Sequence, residues 1–274
     1  MSESLKFREF APKVEPLPAL ARAPYLRSMS IDPHFTRSLL RLRDFEALAF
    51  IGRGFEVAQY QLHEAVFRER APNVVSRFVQ RAIRHGLLRA ERLHGIGMNR
   101  LRLTSAGRDI VIARGVATAD ELFAPARAVA LKDLAHTLAI NDLAVALRQL
   151  PALPARILPA WFLARQLGGA AEVIPDLLAV WMKKSRSGLR LACEIDLGAE
   201  RLAGVFLPKL ERLITSLDED GSAAGILILT RGDRRLQLLA DFAARTPIPV
   251  MPFLLPETGG PDRIRKLREI ISVD

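Results

Sequence analysis

Three carboxylates in the second half of the chain, Asp176, Glu194 and Asp196, have the type and spacing to do chemistry. Residues two apart on a strand point to one face, so Glu194 and Asp196 stand side by side if the run around them is extended. Asp176 becomes their neighbour if the segment before it forms the adjacent strand. Carboxylates gathered at a strand end hold a hard divalent cation such as magnesium through oxygen ligands. Such an ion beside a phosphodiester offsets the charge that develops during hydrolysis, usually with help from a cationic side chain. The expected metal ligands are therefore Asp176, Glu194 and Asp196. Lys209 is the downstream basic residue able to complete a catalytic set, and Lys183 and Lys184 in the intervening turn are weaker candidates.

A second set of residues suits nucleic-acid contact. Between Pro72 and His85, Val75, Phe78, Val79 and Ala82 recur at helical spacing and form one apolar face. Asn73, Ser76, Arg77, Gln80, Arg81 and Arg84 fall opposite, and side chains of these types bond base edges and phosphates. A β-ribbon follows, 88–93 and 98–104 around a turn with Gly95 and Gly97. Arg100 and Arg102 alternate with Leu101 and Leu103. The leucines are expected to pack inward while Arg92, Arg100 and Arg102 face out toward phosphate or the minor groove.

The positioning elements read as follows. Residues 1–32 form a Pro-rich arm, and helices are expected over 35–49, 56–67 and 72–85. With the ribbon, these make a winged helix-turn-helix domain over 33–115. A linker covers 116–130. Within 131–274 the pattern is a helix over 131–150, strands at 157–167, 173–182 and 189–197, and a helix over 199–217 that Pro208 can kink. A buried strand at 226–229, a helix at 234–245, a strand at 248–255 and a closing helix at 262–271 follow. That order predicts a three-layer α/β domain with a mixed sheet.

Composition narrows the function classes. The chain has 274 residues, half of them hydrophobic, which excludes global disorder and allows a sizeable core. The net charge is +10, and residues 33–114 hold fifteen arginines and no lysine against seven acidic residues. A basic module of this kind suits a polyanion partner, most simply nucleic acid. Cys193 is the sole cysteine, so an intramolecular disulfide or a cysteine-rich zinc site is excluded. No apolar run approaches membrane-spanning length and no signal-peptide pattern opens the chain, so no membrane partner and a cytoplasmic location are expected.

Pro175-Asp176 on one strand, Glu194-x-Asp196 on the next, and the α-β-β-β-α-β order resemble the restriction-endonuclease fold, the PD-(D/E)-x-K superfamily. There the resemblance implies two acids that bind magnesium and a lysine beside the attacking water. This sequence departs from it, since Asp196 stands where the lysine is expected. The chain also resembles the replication-relaxation family. The motifs are Leu103-Thr104-x-x-Gly107 at the end of the ribbon, His136-x-x-Ala139-x-Asn141-Asp142 in the joining helix, and Ile174-Pro175-Asp176 with Glu194-Ile195-Asp196-x-x-x-Glu200. That resemblance implies a DNA-binding head, an endonuclease-like second domain, and a role near plasmid replication, mobilisation or gene control.

The reading is thus a double-stranded DNA-binding protein, a transcriptional regulator or a plasmid replication or mobilisation accessory factor, acting as a homodimer. The α/β domain is expected to serve dimerisation or docking of a partner such as a relaxase or replication protein. It is expected to be inactive as a nuclease and to need no cofactor, because three carboxylates without a cation of their own lack the lysine's role. The alternative is a magnesium-dependent endonuclease using Asp176, Glu194, Asp196 and Lys209. His136 reads as a partly buried structural histidine and Cys193 as an inert core thiol.

Overall fold

The computed structural model of the chain describes residues 40–93, 98–123, 129–152, 154–167, 173–181, 189–198, 201–219, 224–257 and 259–272. The Pro-rich arm, the ribbon turn with Gly95 and Gly97, Lys183, Lys184 and Glu200 lie outside these residues. The fold is mixed α+β, with helices around two sheets, one of three strands and one of five.

The first unit opens with α1 (Leu42–Arg53), whose Phe45, Leu48 and Ile51 are buried. The expected helix over 56–67 is instead a short strand β1 (Val57–Ala58), a single turn α2 (Gln59–Leu62) and a π-helical turn His63–Phe67. Local periodicity loses here to pairing, because β1 adds to the ribbon as its third strand. Helix α3 (Pro72–Arg84) begins with proline at its first turn, where no N–H is needed. It ends at Gly86, whose φ of 68° lets Leu87 N–H return to Ala82 O and Gly86 N–H to Ile83 O.

Strands β2 (Leu88–Leu93) and β3 (Met98–Leu103) pair antiparallel, with Leu88 opposite Leu103 and Glu91 opposite Arg100. Helix α4 (Ser105–Ala113) follows. Thr104 caps it by accepting from Gly107 N–H at 3.0 Å and donates to Gly86 O at 2.7 Å. A Cβ on Gly107 would lie 2.2 Å from Leu87 O, so the Thr104-x-x-Gly107 motif is a packing requirement where helix meets ribbon.

The expected linker is partly core. Ala117 and Leu122 are buried, Leu122 packs over Gly52, and Phe123 N–H bonds Gly52 O. The ring of Phe123 lies between Phe55 and Trp161, at centroid distances of 4.2 and 5.5 Å. One hydrophobic core therefore runs from the first unit into the second.

Helix α5 (Leu131–Arg148) is buried along Leu134, Leu138, Leu143, Val145 and Leu147. The fold itself covers its apolar side. The expected strand 157–167 divides into β4 (Arg156–Pro159) and α6 (Ala160–Gln166), since Pro159 ends the strand and caps the helix. Strands β5 (Leu177–Trp181) and β6 (Leu189–Asp196) continue the sheet. Asp176 thus sits just ahead of β5, not inside it.

A π-helical turn Leu202–Phe206 passes into α7 (Leu207–Glu219). Pro208, lacking an N–H, lies in the first turn of α7 and does not kink the helix interior. Then come β7 (Ala224–Thr230), α8 (Asp233–Ala243), β8 (Val250–Leu254) and α9 (Pro261–Ile271).

The five-stranded order is β4-β5-β6-β7-β8, with β4 to β6 antiparallel and β6 to β8 parallel. Alternate side chains divide the sheet faces. Leu177, Cys193, Ile195, Leu227 and Leu229 share a core with α5 and α9, whereas Leu178, Ala192, Ile226 and Ile228 pack with α7 and Leu239 of α8. Among the described residues no helix is long and apolar enough to cross a membrane.

Candidate nucleic-acid interface and acidic site

On α3, Asn73, Arg77, Gln80 and Arg84 are exposed and spaced four, three and four apart, so they form one stripe opposite buried Val75, Phe78, Val79 and Ala82. Arg92 and Arg89 are exposed on β2. Two neighbours on α3 are committed elsewhere. Ser76 accepts from Gln59 Nε2 at 2.9 Å, and Arg81 bonds buried Asp44 at 2.9 Å, fastening α3 to α1.

The ribbon arginines correct the sequence expectation. Arg100 is only 4% exposed. Its guanidinium bonds Glu91 at 2.5 Å, buried Glu56 at 3.2 Å and Val129 O at 3.2 Å. Arg102 is also largely covered and pairs with Glu56 and Glu91. Glu56 in turn accepts Val129 N–H at 2.8 Å. Strand alternation correctly turns these arginines away from Leu101 and Leu103. The face they occupy is roofed by Glu56 and the chain entering α5, and is not open to solvent.

Helix α5 grips both units. Asn141 Nδ2 donates to Gly54 O and Glu56 O. Asp142 accepts from Tyr60 Oη and Gln61 Nε2, each at 2.7 Å, and from Arg263 of α9 at 3.3 Å. Burial pushes the Asp142 carboxyl up to about 6 despite these donors. The Asn141-Asp142 motif is thus a clasp that ties the first unit to α5 and, through Arg263, to α9.

A turn and a half earlier on α5, His136 faces the acids. Its Nε2 lies 3.0 Å from both Asp176 Oδ2 and Ile195 O, and Ile195 N–H donates to the same Asp176 oxygen at 2.8 Å. The bond to Asp176 raises the imidazole's affinity for its proton, with burial opposing.

Glu194 is 1% exposed and bonds Lys209 Nζ of α7 at 2.6 Å through Oε2. Its Oε1 is buried with no hydrogen-bond partner among the described residues. Burial holds its carboxyl above the ordinary range and the charge of Asp176 adds to this, while Lys209 opposes. Asp176 and Glu194 are therefore electrostatic neighbours, as the motif spacing predicted.

Asp196 does not join them. It bonds Thr230 Oγ1 at 2.9 Å, Gly198 N–H at 2.9 Å and Arg235 of α8. The sequence expectation of three carboxylates lacking a cation is thus corrected. Lys209 reaches Glu194, and Arg235, which pattern alone did not single out, holds Asp196. Among the described residues no three His, Cys, Asp or Glu side chains converge to hold a metal ion. Cys193 is fully buried and its thiol is pushed up by burial, as an inert core residue should be.

The model of the replication-relaxation family matches residues 55–218, more than half of the chain. The protein belongs to the replication-relaxation family. The match opens at Phe55, beside buried Glu56, and extends through α7, so it spans the ribbon, the α5 clasp and both acids. Membership suggests a replication- or plasmid-related role for this replication-relaxation protein. Comparisons with curated proteins and with solved structures found no match.

Proposed function

We propose that this protein binds double-stranded DNA through residues 72–104, with the first unit serving as a winged helix-turn-helix and α3 as its reading helix. The observation that carries this is the exposed stripe Asn73, Arg77, Gln80 and Arg84, set on a helix whose other face is locked into the core. Arg92 extends the contact to the wing. Arg100 and Arg102 are left out of the interface because their charges are spent internally. In this reading a homodimer works in replication, mobilisation or transcriptional control, with the second unit docking a relaxase or replication protein.

Titrating labelled duplex DNA by anisotropy tests it, with light scattering giving the stoichiometry. Affinity falls steeply with salt as counterions are released. Arg77→Ala and Arg84→Ala each cost about 1–3 kcal/mol if they meet bases. Unchanged binding by the double variant overturns the assignment.

A second reading is favoured by one contact, that of Lys209 with Glu194. The antiparallel β4-β5-β6 meander with a helical crossover to parallel β7 resembles the restriction-endonuclease core, and Lys209 supplies from α7 the lysine that the superfamily pattern places at position 196. The donor set fits a magnesium-type ion held by two carboxylates and water, because Glu194 Oε1 is buried without a partner and both bonds to Asp176 fall on Oδ2. Asp176 and Glu194 would hold the ion, which would polarise a phosphodiester, and Lys209 would keep Glu194 ionised and oriented. Incubation with supercoiled DNA in magnesium and in manganese decides between the readings. Cleavage lost in Asp176→Asn and Glu194→Gln establishes the nuclease; intact DNA under both ions leaves the binding protein.

A further inference from the structure

We propose that His136 is a positioning residue that fixes Asp176 to receive a divalent cation, an inference that rests on the metal reading of the acidic site. Three groups close a ring. His136 Nε2 donates to Asp176 Oδ2 and to Ile195 O, and Ile195 N–H donates to the same Asp176 oxygen. Both neighbours of that nitrogen are acceptors, so it carries the proton. Oδ2 is thereby tied from α5 and from β6 together, and Oδ1 remains to meet a cation.

The clamp also sets the relation between the two acids. Ile195 directly follows Glu194, so a bond from Asp176 to the Ile195 amide holds Asp176 against the strand that carries Glu194. The Asp176 backbone is held by Ala160 N–H, which donates to its carbonyl at 3.0 Å, but without His136 only the Ile195 amide would hold the carboxylate. An outer partner that orients a ligating carboxylate contributes to metal affinity without touching the metal. The buried, unpartnered Glu194 Oε1 is the second sign of a ligand, because a native fold rarely leaves a carboxylate oxygen so placed.

The test is Mn2+ binding to the full chain, followed by electron paramagnetic resonance of the free ion in the absence of DNA. Wild type binds, and Glu194→Gln and Asp176→Asn abolish binding. His136→Leu weakens it by about 10- to 100-fold. His136→Gln, whose amide reaches the same acceptors, restores most of the affinity, whereas the shorter His136→Asn does not. The Gln and Asn pair keeps the test decisive if the Leu variant fails to fold. A purely structural histidine would lower the melting temperature of both amide variants and leave their Mn2+ affinity at the wild-type value, and that result overturns the proposal while sparing the metal site. No Mn2+ binding by wild type, or binding indifferent to Glu194→Gln, removes the metal reading and this proposal together.

Discussion

Arg100 in the first unit and Glu194 in the second are buried charges met in opposite ways. In the first, Arg100 and Glu56 are enclosed and matched atom by atom, with Arg102, Glu91 and both backbone groups of Val129 completing the set. In the second, Glu194 is as deeply enclosed yet keeps one oxygen without a partner and a carboxyl held above its ordinary range. A buried charge whose every bond is made serves architecture. One left partly unmet carries a cost, which Glu194 Oε1 bears in the second unit and Arg81 Nε in the first. The comparison also separates arginines by use: Arg100 and Arg81 brace the head, while Arg77 and Arg84 stay free to face outward.

The largest effect expected from this comparison is at Arg100. Arg100→Met strands Glu56 in the core and costs about 3–5 kcal/mol of stability in urea unfolding. Pairing it with Glu56→Leu recovers much of that loss, since removing both charges removes the penalty. If the single variant instead keeps wild-type stability and loses DNA affinity, the assignment of Arg100 to architecture is wrong. Next in size, Arg77→Ala and Arg84→Ala shift DNA affinity as stated above, yet change stability by less than about 0.5 kcal/mol because both side chains are exposed. A comparable loss of stability would return them to the structural class.

A further effect, read as a pH dependence, lies at Asp142 in the clasp. Its carboxyl is raised from 3.8 to about 6 by burial. Between those values the folded chain binds more protons than the unfolded one, so stability falls as pH rises from about 4 to about 6. Asp142→Asn removes that slope, which urea midpoints across this range measure for both proteins. Parallel slopes would mean that the donors Tyr60, Gln61 and Arg263 fully compensate the buried charge.

Much of this was legible from the chain alone. Apolar spacing located α3, α5 and α7, alternation located β3, and a continuous apolar run located β7, because these patterns reflect which side of an element is dry. The end of α3 near His85 was readable because turn chemistry acts over a few residues. Glu194 beside Asp176 was also readable, as strand periodicity sets same-face neighbours. The fate of individual charges was not. Whether Arg100 meets phosphate or Glu56, whether Asp196 meets a metal or Arg235, and whether Lys209 reaches Glu194 depend on contacts between elements far apart in sequence. His136 is the clearest case, as its helix spacing says only that it lies near an apolar stripe. Its meeting with Asp176 was decided by how α5 crosses the five-stranded sheet, because a hydrogen bond needs a distance that periodicity does not encode.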